Sequence, residues 1–172
     1  LSGKDPASHM LLIRDAFPDI YAKTYKFLNV LDYMNLRLTG RFCATQDSIL
    51  TSWVTDNRRP DDIRYDDGLI AMSGIDRDKF PDLVRCTDVI GTILPHVAEA
   101  LDLPIQTPVV AGAVDNSAAA IGAGTIHDFD CHLYVGSSSW IAAHVPFKRT
   151  RVLDQITSVP CAVPSRYLMM AM

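Results

Sequence analysis

The sequence predicts an α/β fold, and three observations predict it. Helical patterns opened by Pro or Asp alternate along the chain with short Val- and Ile-rich runs. One such run, PVVAGAV at 108–114, stops at Asp115, Asn116 and Ser117 and passes at once into the small-residue segment 118–124. It reads as a strand buried on both faces that feeds directly into a helix. Further on, LYV and WIAAHV flank Gly136, Ser137, Ser138 and Ser139, the strand–turn–strand pattern of a β-hairpin.

The elements follow in order. Asp5-Pro6 opens a first helix, with Asp5 as cap, and Met10, Leu11, Ile13 and Phe17 form its apolar face. Pro18-Asp19 opens a second helix reaching Tyr25, and residues 27–30 read as extended. Asp32 is placed to cap a third helix that buries Leu31, Tyr33 or Met34, and Leu38. Gly40 ends that helix in the left-handed conformation. Residues 45–54 read as a further helix with Ile49, Leu50 and Trp53 on one face. DNRRPDDIRYDD carries mixed charge, which suits a solvated loop and the outer face of a helix. Residues 68–72 form an apolar helical segment closed by Gly74, and 89–94 read as a strand. Pro95 opens a helix facing inward with Val97, Ala100 and Leu101. After the central stretch 108–124, residues 125–130 read as a linker and domain boundary, and the hairpin starts a new sheet.

Composition narrows the function classes. A hydrophobic fraction of 48% and a charged fraction of 21% suit an ordinary globular chain long enough to bury a core. The net charge of −4 argues against non-specific nucleic-acid binding, which needs an excess of Lys and Arg against phosphates. No apolar run approaches the roughly 20 residues of a membrane span, and residues 1–9 lack the apolar core of a signal peptide. Cys43, Cys86, Cys131 and Cys161 lie about 30 to 45 residues apart with no CxxC pair, a spacing that suits buried free thiols and a cytoplasmic location. Both ends read as interior sequence, so the chain is expected to be a piece of a longer polypeptide.

Four groups of residues could carry chemistry. Asp115 lies where a strand passes into a helix. A carboxylate there caps the helix or serves ligand chemistry at the strand's end, and spacing alone leaves both open. The Gly136-Ser137-Ser138 turn either simply connects a hairpin or presents N–H and hydroxyl groups to a phosphate; it lacks the Gly-Lys-Ser/Thr of a P-loop. The run from His127 to His132 concentrates potential ligands. A zinc site needs three or four converging groups, and no partner cluster follows, so no metal site is assigned. Cys43 and Cys131 have no neighbouring cation in sequence to stabilise a thiolate, and a Gly-x-Ser-x-Gly elbow is missing.

The segments GKDPASHMLLIRDAFPDIYAKTYKFLNVLDYMNLRLTGRF, MSGIDRDKFPDLV, GTILPHVAEALDLP, TPVVAGAVDNSAAAIGAG, LYVGSSSW and CAVPSRYLM resemble, in order and spacing, the middle of the FGGY family of carbohydrate kinases, above all its xylulokinase-like branch. The resemblance implies an actin-like ATPase (ribonuclease-H-like) fold. Residues 1–124 would form the later part of the first domain, and 125–172 the start of the second. It implies ATP-dependent phosphorylation of a sugar, a ketose such as a xylulose-like pentulose or a polyol, with Mg²⁺. Asp115 falls on the family's catalytic base, Asn116 on a position facing a sugar hydroxyl, and Gly136, Ser137 and Ser138 on a phosphate-binding turn. The implied partners are the sugar and ATP, with a homodimer as the candidate assembly and neither nucleic acid nor membrane.

Two departures from the family pattern stand out. The turn usually written Leu-Gly-Thr-Ser-Gly is Val135-Gly136-Ser137-Ser138-Ser139, followed by Trp140. Where related kinases often carry an Asp-Tyr or Asp-Ser-like pair near the substrate, this chain reads Thr45-Gln46-Asp47-Ser48, so no particular pentulose is carried over. The family's Asp-x-Gly-Thr phosphate loop belongs upstream of residue 1 and its adenosine segment beyond residue 172, so the 172 residues alone are expected to lack kinase activity. A non-catalytic sugar-binding or subunit-association domain on the same scaffold is the alternative.

Overall fold

Helices α1 (Pro6–Ala16) and α2 (Pro18–Lys23) each begin on a proline, whose missing N–H costs nothing in a first turn. The computed structural model that shows them describes residues 3–137 and 139–171. Helix α3 (Val30–Thr39) follows and ends at Gly40 with φ +77°, as the sequence predicts. Its buried side differs from the expected one. Asp32 and Asn35 point inward, whereas Tyr33 and Met34 are 47% and 51% exposed. Asp32 sits at the helix's third position, not at its cap, and accepts a hydrogen bond from the N–H of the N-cap residue Asn29 at 3.3 Å.

The helix expected over 45–54 is replaced by strand β1 (Cys43–Thr45), a hydroxyl-rich turn and a short 3₁₀ turn at Leu50–Ser52. The cause is local. Thr45 N–H donates to Ser48 Oγ at 3.0 Å, and Ser48 N–H donates to Thr45 Oγ1 at 3.1 Å. Such side-chain bonds give the backbone an alternative to helical pairing. Trp53 then takes a left-handed φ of +59° and stays 55% exposed.

Strands β2 (Thr55–Asp56) and β3 (Arg64–Tyr65) pair antiparallel, and helix α4 (Asp67–Ser73) runs from its Asp66 cap to Gly74. Strand β4 (Asp82–Val84) pairs parallel to β1. Strand β5 (Val89–Thr92) leads to helix α5 (Pro95–Leu101), of which Ala98, not Ala100 or Leu101, is buried. Strand β6 (Pro108–Val110) pairs antiparallel with β5 and leads to helix α6 (Asp115–Gly122). The expected doubly buried strand over 108–114 is thus shorter and more exposed. Among the described residues β6 is hydrogen-bonded only to β5, with Val110 51% exposed, and of residues 108–114 only Ala111 is buried.

The remaining chain forms one antiparallel sheet from β7 (Cys131–Val135), β8 (Ser139–Val145), β9 (Ile156–Pro160) and β10 (Tyr167–Ala171), in the order β7-β8-β10-β9. The expected hairpin is its β7–β8 edge, with Tyr134 opposite Trp140. One core gathers Met10, Ile49, Val54, Ile70, Ile75 and Phe80; a second joins Cys43, Val84, Ile90 and Ala111. A third places Ala120 of α6 against Ala142, Leu168 and Met170 of the sheet. All four cysteines are free; three are buried and Cys131 is exposed. Among the described residues, no helix is long and apolar enough to cross a membrane.

Gly74 shows how closely the first core's rim is fitted. Its φ is +68°, and Arg14 Nη1, which donates to Gly74 O at 2.8 Å, occupies the space a Cβ would need. Gly74→Ala is expected to cost about 1–2 kcal/mol, the usual penalty of a side chain in the left-handed region. Urea unfolding should show a lower midpoint at constant slope, and an unchanged midpoint would contradict this account.

Candidate active site

Helix α6 starts at the end of the irregular segment 111–114, of which Ala111 is buried and the rest half-buried. Its N-cap is Val114, with extended φ −70° and ψ 166° and no capping side chain. Asp115 is the first helical residue, so it does not take the capping position that the sequence suggests for a polar residue of its trio. Its exposed carboxylate accepts from the N–H of Asn116 at 2.8 Å through Oδ1. Asn116 is half-buried, and its Nδ2 lies 3.5 Å from Met170 Sδ on β10. That contact and the packing of Ala120 seat the helix carrying Asp115 on the sheet carrying the Gly-Ser turn.

At the turn itself, Gly136 and Ser137 are exposed; Ser138 lies outside the described residues. Gly136 is required by its neighbour. A Cβ there would come within 2.9 Å of the Tyr134 hydroxyl, because the Tyr134 ring folds over the turn. That ring is held by stacking on Trp140 at 5.1 Å and 13°, and His132 lies 5.1 Å from the same indole. Trp140, at a position where the family pattern carries a smaller residue, therefore anchors the aromatic cover of the turn. Among the described residues, no three His, Cys, Asp or Glu side chains group as a metal site. Burial pushes the Cys161 thiol up to about 11 and raises the Cys86 thiol further, which leaves both protonated and poorly nucleophilic.

Behind α6 lies a buried polar network that sequence reasoning did not assign to the site. The Asp32 carboxylate accepts from Ser48 Oγ at 2.8 Å, and Asn29 Nδ2 donates to Ser48 O at 2.6 Å. Thr45 Oγ1 donates to Asp47 Oδ1 at 2.6 Å, while Asp47 Oδ2 accepts from Val114 N–H at 3.2 Å. Asn35 Nδ2 donates to Ala111 O at 2.7 Å. Gln46 joins the two halves of the chain, accepting from Cys86 N–H at 2.8 Å and donating to Cys161 O at 3.0 Å. The available signal was the 45–48 departure together with Asn29, Asp32 and Asn35, spaced three apart along α3, a polar stripe that reads in isolation as a solvated face.

The layered arrangement of short parallel and antiparallel strands, helices and a separate antiparallel sheet is that of the actin-like ATPase fold of sugar kinases. It superposes on xylulose kinase from Rhodospirillum rubrum with a TM-score of 0.86 at 20% identity, covering 98% of this chain and 34% of that one. A "xyloylose kinase" from Brucella ovis matches with a TM-score of 0.82 at 26% identity, over 95% of this chain and 33% of that one. In sequence, the chain is 29% identical to xylulose kinase of Escherichia coli (strain K12) over 166 residues, 96% of this chain and 33% of that protein. Residues 2–122 match the model of the FGGY family of carbohydrate kinases, N-terminal domain, and the chain belongs to this family. It spans about a third of the length of these relatives.

The network's electrostatics follow from its burial. Asp32 is fully buried, and desolvation pushes its carboxyl from 3.8 up to about 6; the bonds from Ser48 and Asn29 oppose the rise and nearby Asp47 adds to it. The folded state therefore holds this proton more tightly than the unfolded chain. The stabilisation is fully present below the unfolded value and is lost as pH rises through about 6. Relative to Asp32→Asn, the wild type should gain stability as pH falls from about 7 to about 4, by an amount on the order of 3 kcal/mol. Urea unfolding of both proteins across that range checks the sign, and a stability difference flat in pH would contradict it.

Proposed function

We propose that this chain is the central part of an ATP-dependent carbohydrate kinase, with residues 1–124 closing its first domain and 125–172 opening its second. Asp115 is its general base. As a sugar hydroxyl oxygen bonds to the γ-phosphorus of ATP, Asp115 takes the hydroxyl proton, the bond from phosphorus to the bridging oxygen breaks, and ADP leaves. Asn116 orients the sugar, and the turn at Gly136, Ser137 and Ser138 receives phosphate oxygens. The xylulose kinases among the relatives favour a ketopentose as acceptor.

The observation carrying this reading is the placement of Asp115: exposed, in the first turn of α6, joined to the end of β6 by the segment 111–114, and within the family-matched region. Proton acceptance needs an accessible carboxylate, and the Asp115 side chain is exposed. The exposed Gly136-Ser137 backbone and the Ser137 hydroxyl suit contact with phosphate oxygens. Mg²⁺, which the resemblance implies, would neutralise phosphate charge. No residue described here is assigned to it, and no step is derived through it.

The test is a coupled assay of the full-length protein with ATP and a panel of ketoses and polyols. The wild type should phosphorylate at least one ketose. Asp115→Asn should lower kcat by about 10²–10⁴, the usual contribution of a general base, while the melting temperature stays near wild type. Wild-type turnover by Asp115→Asn would end the assignment.

A further inference from the structure

Among the described residues the Asp115 carboxylate is hydrogen-bonded only to the adjacent Asn116 N–H, so its place is set by where α6 begins. Four contacts set that start from outside the helix. Ala111 N–H and Gly112 N–H donate to the carbonyls of Asp88 and Cys86 at 2.9 and 3.0 Å. Asn35 Nδ2 donates to Ala111 O. The last and nearest to Asp115 is the bond from Val114 N–H to Asp47 Oδ2, made by a side chain only 5% exposed. Val114 is the N-cap and has no polar side chain of its own, so Asp47 supplies from another segment an acceptor at the helix N-terminus. Thr45 Oγ1 fixes the orientation of the Asp47 side chain by donating to its other oxygen.

We infer that Asp47 is a positioning residue for Asp115, acting through the Val114 N–H to fix the first turn of α6. The inference rests on the kinase reading above and deepens it. Asp47 lies in the 45–48 turn, so the oxygen acceptor that sets the base's position comes from a segment remote in sequence from α6. A carboxylate displaced by about an ångström from its proton can cost a hundredfold in rate, so this support acts on turnover more than on ATP binding.

A double-mutant cycle in the full-length protein tests this. Asp47→Leu removes the acceptor, and Val114→Pro removes the donor at a residue whose φ of −70° proline already favours. Each should lower kcat at least about tenfold with KM for ATP changed less than threefold, and the double variant should be no worse than the poorer single one. Asp47→Asn, which keeps an oxygen acceptor, should recover most of the loss. Losses that multiply in the double variant, or a fully active Asp47→Leu beside an inactive Asp115→Asn, overturn the positioning role and leave the kinase reading standing. A wild type that phosphorylates no sugar overturns both. If Asp47→Leu does not fold, Thr45→Val loosens the same carboxylate and takes its place in the cycle, with the same non-additivity expected.

Discussion

The burial of Asp32 and Asn35 of α3, with Asn29 at the helix's cap, against the 45–48 turn and Ala111 is the constraint on which the rest of the structure depends. A buried carboxylate and its neighbouring amides are unfavourable unless each finds partners. Here Asp32 and Asn29 find them in Ser48, within a segment that cannot then become a helix, and Asn35 finds one in the carbonyl of Ala111. Satisfying α3 thus fixes the turn, and the turn in turn presents Asp47 to the start of α6 and Gln46 to Cys86 and Cys161. A half-satisfied version would be worse than an apolar one, which makes the network cooperative.

From this network the two halves of the chain are tied at several points. Gln46 spans from the β4–β5 loop to the residue after β9. Tyr167 Oη donates to Asn57 O at 2.9 Å, Lys148 Nζ donates to Asn57, and Ser165 Oγ donates to Asp61. These contacts are polar, whereas Ala120 and Asn116 of α6 meet the sheet through small and sulfur-bearing groups. A helix seated by small residues can lie close to a sheet, so α6 carries Asp115 on one side while its other side bears on the strands that hold the Gly-Ser turn. The base and the turn are mechanically linked through one short helix.

Some of this was legible from local chemistry. Proline at positions 6, 18 and 95 and glycine at 40 and 74 mark helix boundaries because φ and missing donors act on the residue itself. The hairpin over 131–145 was legible because two apolar runs flank a turn. The helix expected over 45–54 was not, because Ile49, Leu50 and Trp53 fit a helical period while the deciding bonds come from Thr45 and Ser48 side chains. The inward face of α3 was misread for a related reason. Its apolar residues outnumber its polar ones, and a polar stripe looks solvated until its partners are known.

The sequence by itself determined the family and the helix boundaries at Pro6, Pro18, Gly40, Gly74 and Pro95, because these depend on residue types at fixed positions. The family resemblance singled out Asp115 as the candidate base. Only the tertiary structure decided that Asp115 is an exposed first-turn residue and not the cap, that Asp47 supplies the acceptor behind it, and that Tyr134 and Trp140 roof the Gly136 turn. The reason is physical. A hydrogen bond between residues 47 and 114, or a ring stacked across a sheet, depends on where distant segments meet, and no local pattern of residues encodes that meeting.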